Sequence, residues 1–567
     1  MAKISKKIKM IEKIKKFLND RGLDGYIIPK NDYYFTEYSN NNNLLKVTNF
    51  TGSAGFAFIT KKKNFLFVDG RYTLQAKRQS GAKFIIKEIP KYWPKNVIID
   101  KNFKVGFDPK LFTKSILNKY FGENINLIPN YYNFSQRKKN KIHKFYFLSK
   151  NITGEDYTSK INRLVKILKK NKIENLYISA GENICWLLNI RGKDLPHSPL
   201  ANCKMIITSN KKIYFFSDIS KSQNLKQKFG NIINFHNENE LFKIIINLSK
   251  KNFCIDKNTC SVFDQQLINS NFNITSFEDP IYKLKSIKNK TEINNMIKAH
   301  IIDGVAVTKF LYWFKNNKKV CTEKIIERKL ENLRKKSIFY LYPSFDTIAG
   351  SGPNGAIIHY RSNNQTNRKI LDKDLLLIDS GGQYQWGTTD VTRTTSKSEV
   401  SQKIKNNFTR VLKGHIAVIK CNISKNFNGH LIDKLARKFL NKVGLNYSHG
   451  TGHGVGFFLN VHEGPQNISK YNYVPLKEGM ILSNEPGYYL ENKYGIRIEN
   501  LIYIFSKNKE LRFKNLTYVP IDLDLINFKM LTNIEKKYLF EYHLEVYNKI
   551  SKFLNENERK WLISLIK

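Results

Sequence analysis

The sequence predicts a multidomain protein in which two related α/β domains precede an α+β domain. Residues 17–72 and 167–220 share one order of features: a helical segment, a polar turn, a β-rich run, and a second β-rich run broken by a Lys/Asn turn. Two copies indicate a domain duplication and not a solenoid. After the turn at residues 278–280, long amphipathic helices alternate with strand-like runs and Gly-rich turns. The predicted domains are residues 1–150, 151–277, 278–505 and 506–567.

The composition is that of a folded cytoplasmic protein with several cores. The chain has 567 residues, of which 41% are hydrophobic and 13% aromatic. No apolar run approaches the roughly 18 residues that span a bilayer. The basic N-terminus has its apolar residues at helical spacing and lacks the features of a secretory signal. The six cysteines show no paired spacing, so we expect reduced thiols in the cytosol. Because no apolar run is long enough to span a bilayer, we also expect no membrane partner.

The formal net charge of +49 raises the question of a nucleic-acid partner. The basic residues are mostly lysines and are scattered along the whole chain, whereas phosphate and base recognition depends on clustered arginine. We therefore expect weak binding to polyanions at low salt and no specific nucleic-acid partner.

The third domain is predicted to surround a mainly antiparallel sheet with amphipathic helices. In the first of these helices, Ile293, Met296, Ile297 and Ile301 fall on one face. Glycine at 444 is a typical residue for ending the last one. The predicted helices cover residues 287–314, 322–335, 401–420 and 428–443, and the C-terminal extension, 506–567, is predicted to end in helices.

Four carboxylates of this domain are predicted at strand ends or on strand faces. Asp379 closes one apolar run and Asp390 begins the next, so a glycine-containing hairpin brings them side by side. Glu485 ends another apolar strand, just before a Pro-Gly turn. In residues 494–505, alternation places Arg497 and Glu499 on one face with Gly495, and Ile496 and Ile498 in the core.

A histidine-rich loop, 449–465, accompanies these carboxylates. Crowded carboxylates repel one another, and a divalent cation turns that repulsion into coordination. Four carboxylates and one imidazole form a hard donor set that suits Mn²⁺, Co²⁺ or Fe²⁺ better than a thiolate-type zinc site. Two metals about 3.5–4 Å apart can share such a set when some carboxylates bridge. A helical His449/His453 pair is disfavoured, because the residues between them are Gly-Thr-Gly.

Together, these segments resemble the successive motifs of the Xaa-Pro aminopeptidases. These enzymes are pita-bread metallopeptidases of family M24, and the family also includes prolidase and methionine aminopeptidase. The similarity extends over essentially the whole chain and matches the long, three-domain form. The resemblance implies two creatinase/prolidase-type N-terminal domains and a pita-bread catalytic domain. The motifs are SFDTIAGSGPNGAIIHY, LLIDSGGQY, GTTDVTRT, HGTGHGVG, NVHEGP, SNEPGYY and GIRIEN, with DGRYTLQA, CWLLNIRG, LTYVPIDLDLI and EYHLEVYNKI outside the third domain.

The resemblance implies a dinuclear site and a metal ligand at each of five positions. Asp379 would bind one metal, His453 and Glu485 the other, and Asp390 and Glu499 would bridge. A hydroxide between two divalent ions, Mn²⁺ or alternatively Co²⁺, Fe²⁺ or Zn²⁺, would attack the scissile carbonyl. Glu485 would accept and shuttle the proton.

The resemblance also implies residues on the substrate side of the site. His462 would donate to the carbonyl next to proline, and His359 would steady the tetrahedral intermediate or the leaving nitrogen. His449 would support the loop or line the pocket. Arg497, two residues before Glu499 on the same face, is expected to reach the bridging carboxylates. The other histidines are expected mostly on helix or loop surfaces.

The expected activity is therefore removal of an N-terminal residue from peptides with proline at position two, by a homodimer joined through its catalytic domain. Prolidase, which cuts only dipeptides, remains an alternative, and the duplicated N-terminal half argues against it. Methionine aminopeptidase would lack both front domains, and creatinase lacks the ligand set. A non-enzymatic scaffold with a basic, nucleic-acid-binding surface is a more remote alternative.

Overall fold

A computed structural model describes residues 2–39, 42–98, 100, 102–134, 142–248, 252–423 and 427–566. The chain divides into two compact units. The first, here called the front unit, comprises residues 1–150 and 155–281, and the second, the catalytic unit, comprises 151–154 and 282–567. Within the described residues, no helix is long and apolar enough to cross a membrane. The finer division at 150, 277 and 505 stays a prediction.

The front unit contains the predicted duplication as two six-stranded sheets of one topology. In the first sheet the order is β4-β3-β2-β1-β5-β6, and in the second it is β12-β11-β10-β8-β13-β14. The pairings agree strand for strand: two antiparallel pairs lie at the centre, and parallel pairs complete both sides. The strands are β1 Gly25–Pro29, β2 Phe56–Thr60, β3 Asn64–Asp69, β4 Ile85–Ile89, β5 Lys104–Phe107, β6 Asn126–Pro129, β7 Tyr146–Phe147, β8 Asn175–Ile178, β9 Ile190–Arg191, β10 Lys204–Thr208, β11 Ile213–Phe216, β12 Ile233–His236, β13 Phe253–Ile255 and β14 Ile274–Ser276.

The catalytic unit is built on antiparallel strands, as predicted. Its largest sheet has the order β22-β21-β23-β26-β27, and smaller sheets hold β16-β17-β20 and β15-β18-β19. The fold class predicted for the third domain is thereby confirmed. The strands are β15 Tyr340–Pro343, β16 Ile348–Ser351, β17 Leu376–Ser380, β18 Gly382–Tyr384, β19 Gly387–Thr388, β20 Val391–Thr395, β21 Gly452–Gly454, β22 Glu463–Ile468, β23 Ile481–Asn484, β24 Gly487–Leu490, β25 Tyr494–Arg497, β26 Asn500–Lys507 and β27 Glu510–Asn515.

The predicted helices of the catalytic unit are present with boundaries shifted by a few residues. The first begins at Lys290 because Asn289 and Glu292 form a reciprocal capping box at its start. The C-terminal extension begins with β27, which pairs with β26, before it becomes helical. The helices of the chain are α1 Ala2–Asp20, α2 Asn43–Thr48, α3 Thr73–Ser80, α4 Lys114–Phe121, α5 Lys150–Thr153, α6 Tyr157–Lys170, α7 Gly181–Leu187, α8 Ile219–Ser222, α9 Lys226–Phe229, α10 Leu241–Ile246, α11 Val262–Asn269, α12 Ile281–Ser286, α13 Lys290–Asn316, α14 Glu323–Arg334, α15 Gln402–Lys420, α16 Gly429–Asn441, α17 Asn533–Ile550 and α18 Glu556–Ser564.

The main core of the catalytic unit lies between its largest sheet and the helices α15, α16 and α17. Buried residues of all these elements form one apolar cluster, including Val411, Ala436, Leu482, Ile502 and Val546. A second apolar cluster joins the same sheet to α13, which leaves the strand ends as positions for polar groups.

The predicted strand over residues 494–505 is interrupted, which corrects the sequence-based description. β25 ends at Arg497 and pairs with β24, whereas β26 starts at Asn500 and pairs with β23. Ile498 and Glu499 lie at the break, and Glu499 is as buried as its apolar neighbour, at 2% exposure against 0%. A two-faced alternation could not reveal this, because both faces are buried.

Candidate metal centre

Two strand pairs bring the acidic residues to one place. In the β17–β20 pair, Asp379 lies opposite Thr392, so Asp390 directly precedes the strand that Asp379 pairs with. The predicted hairpin is thus present, with the small β18–β19 hairpin inserted at its tip. In the β23–β26 pair, Asn484 lies opposite Asn500. The residues just beyond that pair are Glu485 and Glu499, which therefore leave the sheet at the same end.

The histidine loop reaches the same end of the sheet through β21. Gly454 pairs with Leu482. The preceding residue, His453, lies beside Ser483, and its backbone N–H donates to Ser483 Oγ at 2.9 Å. A side chain at Gly452 would collide with the Ser483 carbonyl oxygen, so glycine is required for this close approach. The glycines around the imidazole therefore have a steric reason.

The distances place one imidazole among the carboxylates. His453 Nε2 lies 3.4 Å from Asp390 Oδ2 and 3.6 Å from Glu485 Oε1. One ligand atom each from Asp390, His453 and Glu499 lie within 4.8 Å of one another, a spacing suited to a shared cation. His453 Nδ1 lies 2.9 Å from the Gly454 carbonyl oxygen, which can only accept. Nδ1 therefore carries a proton, and Nε2 is the ring nitrogen that faces the carboxylates.

Burial and mutual repulsion make this a poor environment for carboxylates alone. Burial, followed by the neighbouring carboxylates, raises the pKa of Asp390 and of Glu499 well above their ordinary values. Burial also raises the pKa of Glu485, against the opposing influence of the His453 imidazole. One oxygen of Asp379 and one of Asp390 are buried without a hydrogen-bond partner. Oxygen atoms that lack donors in a crowd of carboxylates fit a divalent cation.

Hydroxyl groups hold two of the carboxylates in place. Thr392 Oγ1 donates to Glu499 Oε2 at 2.7 Å, and Ser483 Oγ lies 3.1 Å from Glu485 Oε1. Each bond occupies one carboxylate oxygen and leaves the other for a ligand role. Sequence reasoning missed both hydroxyls, although Thr392 follows Asp390 by two residues and the shared strand face was a usable signal.

Several known proteins match this chain over nearly its full length. The chain is 35% identical to Xaa-Pro aminopeptidase 1 of Dictyostelium discoideum, over 99% of this chain and 96% of that protein. It is 34% identical to a probable Xaa-Pro aminopeptidase P of Laccaria bicolor, over 97% of this chain and 92% of that protein. The chain belongs to metallopeptidase family M24, among the Xaa-Pro aminopeptidases.

The family models and solved structures divide the chain in a consistent way. Metallopeptidase family M24 matches residues 294–505, the creatinase/prolidase N-terminal domain matches 10–129 and again 136–292, and the C-terminal region of the M24 peptidases matches 509–566. The X-prolyl aminopeptidase of Caenorhabditis elegans, described as cytosolic with a di-nuclear active site, superposes with a TM-score of 0.90 at 29% identity, over 96% of this chain and 95% of that one. A prolidase from Pyrococcus furiosus covers 62% of this chain and 99% of its own, with a TM-score of 0.52 at 26% identity.

Among the M24 residues, Arg497 reaches Asp379 and not the predicted bridging pair. Its Nη2 donates to Asp379 Oδ2 at 2.6 Å, and its Nε donates to Thr392 Oγ1 at 3.1 Å. Its Nη1 donates to the hydroxyl of Tyr489 at 2.6 Å. The guanidinium is 1% exposed, and its pKa is raised because Tyr489 and the carboxylates outweigh the effect of burial. Arg497 therefore holds the Asp379 carboxylate in a fixed orientation.

Tyr489, which sequence reasoning missed, links Arg497 to His449. The Tyr489 hydroxyl lies 2.9 Å from His449 Nε2, and His449 Nδ1 lies 2.7 Å from the Gly450 carbonyl oxygen. Since that carbonyl can only accept, Nδ1 is protonated and Tyr489 donates to Nε2. His449 Nδ1 is also 3.9 Å from Glu485 Oε2, so the predicted supporting histidine does lie at the centre.

The two histidines predicted to contact the substrate, His462 and His359, have different neighbours. The His462 ring meets the His453 ring edge to face, with centroids 4.3 Å apart. The next residue, Glu463, is held by the buried ammonium groups of Lys285 and Lys288, which anchor the start of β22. His359 is half-buried and follows Ile358, whose carbonyl oxygen lies 3.5 Å from Arg497.

Three of the seven remaining histidines are buried, whereas the other four are half-buried, so the expected surface position is wrong for these three. They are 3%, 0% and 1% exposed, and each ring faces a backbone group: His300 the Met296 carbonyl, His415 the Asn484 carbonyl, and His543 the Ile521 N–H. Burial lowers the pKa of His300 to about 4, of His415 to about 3 and of His543 to about 4. They are neutral structural groups, because each lies on the inward face of a helix.

Proposed function

We propose that this protein is a metal-dependent exopeptidase that removes the N-terminal residue from peptides whose second residue is proline. The observation that carries the proposal is the convergence of Asp390, His453 and Glu499 within 4.8 Å, beside Glu485 and Asp379. Full-length relatives named Xaa-Pro aminopeptidase support the same activity. The bond before proline lacks an N–H and is rigid, which requires a dedicated site.

We propose that five residues hold two divalent metals. His453 and Glu485 would bind one metal and Asp379 the other, with Asp390 and Glu499 shared. The partnerless oxygens of Asp379 and Asp390 support this arrangement, as does the di-nuclear site named for the Caenorhabditis elegans relative. The oxygen-rich donor set favours Mn²⁺. When bound, the two cations lower the pKa of a shared water and stabilise charge on the scissile carbonyl.

The surrounding residues would handle the proton and the substrate. The Glu485 carboxylate would take the proton of the attacking water, since burial raises its pKa and so makes it a stronger base. His462, whose ring contacts the His453 ring, would donate to the carbonyl next to proline. His359 would steady the leaving nitrogen, and His449 would line the pocket through its bond with Tyr489. Arg497 would keep Asp379 correctly oriented.

Activity on longer peptides is favoured over the prolidase alternative. The prolidase from Pyrococcus furiosus aligns with only 62% of this chain, whereas the Xaa-Pro aminopeptidase relatives align with nearly all of it. A scaffold without activity would have no use for a complete set of metal ligands.

We further propose a homodimer in the cytosol without a specific nucleic-acid partner. The Caenorhabditis elegans relative is described as cytosolic, and the cysteines here are free thiols, five of the six buried. Dimerisation through the catalytic unit rests on the family resemblance.

The deciding experiment measures hydrolysis of Arg-Pro-Pro, with Mn²⁺ and after chelation, beside an Xaa-Pro dipeptide. We expect metal-dependent release of arginine from the tripeptide. Glu485→Gln should abolish turnover, and Glu491→Gln, an exposed glutamate six residues further on, should leave it unchanged. Cleavage of the dipeptide alone would favour prolidase, and no turnover despite bound metal would contradict the proposal.

A further inference from the structure

Arg393 is a buried guanidinium bonded to neutral oxygens. It is 2% exposed, and among the described residues it has no carboxylate within ion-pair distance. Burial lowers its pKa. Its donors reach Glu499 O at 2.6 Å, Val519 O at 2.7 Å, Thr392 O at 2.8 Å, Asn500 Oδ1 at 2.8 Å, Pro520 O at 2.9 Å and the Tyr542 hydroxyl at 2.9 Å.

These bonds join two parts of the catalytic unit. One group of acceptors belongs to the strands around Glu499, and the other, with Val519, Pro520 and Tyr542, belongs to the C-terminal extension. The Tyr542 hydroxyl accepts from Arg393 and donates to the Val519 carbonyl at 2.7 Å. The extension therefore supplies half of the acceptors that hold the guanidinium.

Arg393 and the preceding residue, Thr392, hold Glu499 through three hydrogen bonds. Its carbonyl accepts from Arg393, its N–H donates to the Thr392 carbonyl at 3.1 Å, and its Oε2 accepts from Thr392 Oγ1 at 2.7 Å. Thr392 and Arg393 are consecutive, so a displacement of the guanidinium moves both the backbone and the side-chain support of Glu499. Residues that orient a metal ligand typically change metal affinity about 10–100-fold when they are removed.

We propose that Arg393, held by Tyr542 of the C-terminal extension, is a positioning residue for Glu499, so that the extension helps to set metal affinity. The inference rests on the proposed role of Glu499 as a metal ligand. A merely structural role would make the extension contribute to folding of the unit and leave the affinity for metal unchanged. A desolvated cation is an expensive structural group, since a neutral side chain could fill the same space.

The test compares two Tyr→Phe variants of α17 in metal-free protein. Tyr542→Phe removes the hydroxyl that binds Arg393. Tyr538→Phe removes the hydroxyl one turn earlier, which accepts from Asn515 Nδ2 at 3.2 Å and does not contact Arg393. Titration with Mn²⁺ followed by calorimetry gives affinity and stoichiometry, and a thermal melt of the metal-free protein reports the fold. We expect Tyr542→Phe to weaken Mn²⁺ binding about tenfold and Tyr538→Phe to change it less than about twofold.

Arg393→Lys provides a second variant in case Tyr542→Phe does not fold. Lysine keeps the charge and has too few donors for all the acceptors. A folded Arg393→Lys protein should lose at least as much Mn²⁺ affinity as Tyr542→Phe. Wild-type affinity in these two variants, or an equal loss in Tyr538→Phe, would overturn the inference while leaving the proposed function intact. If the wild-type protein binds no Mn²⁺, the metal site and this inference both fail.

Discussion

Two buried aspartates, Asp264 of the front unit and Asp390 of the catalytic unit, have opposite surroundings. Asp264 in the front unit is 2% exposed, and one of its oxygens accepts from the Lys204 ammonium at 2.6 Å and the Tyr177 hydroxyl at 2.9 Å. Asp390 in the catalytic unit is 4% exposed, faces other carboxylates, and has one oxygen without a partner. Equal burial thus serves different ends.

The contrast separates a stabilising carboxylate from a functional one. A buried charge that has its counter-charge and donors is part of the fold, whereas one that lacks them costs stability. We propose that a metal ion satisfies this group in Asp390. The partnerless oxygen, and not burial or residue type, distinguishes Asp390 from Asp264.

The largest effect should follow from Asp390→Asn. We expect kcat/KM to fall at least about 10³-fold, because the metals contribute several kcal/mol to transition-state stabilisation. The metal-free protein should melt at a higher temperature than wild type, since the amide removes repulsion from Asp379 and Glu485. Peptide hydrolysis and calorimetry of the metal-free protein measure the two effects. A lower melting temperature together with full metal binding would show that Asp390 is a structural residue.

An Asp→Asn substitution in the front unit should lower stability and leave activity unchanged. Asp264→Asn leaves the Lys204 ammonium, which is 16% exposed, without its carboxylate. We expect a loss of about 2–3 kcal/mol in the free energy of unfolding and no change in kcat/KM or Mn²⁺ affinity. Calorimetry can assign the affected transition, because Mn²⁺ should shift only the transition of the catalytic unit. Equal losses of activity in Asp390→Asn and Asp264→Asn would contradict the contrast between these two aspartates.

The sequence predicted those parts of the centre that depend on strand ends and motif spacing. Asp379 and Asp390 flank a hairpin, and Glu485 precedes a Pro-Gly turn, so local pattern was enough to place them. The duplication was predictable for the same reason, because each sheet repeats one order of helix and strand. Local pattern is informative where neighbouring strands are also neighbours in sequence.

Contacts between distant segments were beyond the sequence. The Thr392–Glu499 bond and the Arg393–Tyr542 bond join residues more than a hundred positions apart, and no periodicity connects them. The break between β25 and β26 was hidden because buried residues occupy both faces. The depth of His300 and His543 was missed because a histidine on an inward helix face looks, in sequence, like one on the surface.

The smallest expected effect is on the pH dependence of stability, to which buried groups of the two units contribute. His543 is buried with its Nε2 accepting from Ile521 N–H, and burial with the nearby Arg393 charge lowers its pKa to about 4. An unfolded histidine has a pKa of about 6.5, so between these values the unfolded chain binds more protons and stability falls as pH decreases. In the front unit, burial raises the pKa of Asp279 to about 7, so the folded form binds more protons and acidification is stabilising.

We therefore expect His543 to lower the stability of the metal-free catalytic unit on acidification from pH 7.5 to 5.5, in a unit where the raised pKa values of Asp390 and Glu499 act in the opposite direction. His543 alone should account for about 1.4 kcal/mol at pH 5.5, one pH unit below its unfolded pKa. His543→Gln should remove that contribution from the pH dependence of the catalytic-unit transition. Equal pH dependence of this transition in wild type and His543→Gln, measured by calorimetry of the metal-free proteins, would contradict the assignment.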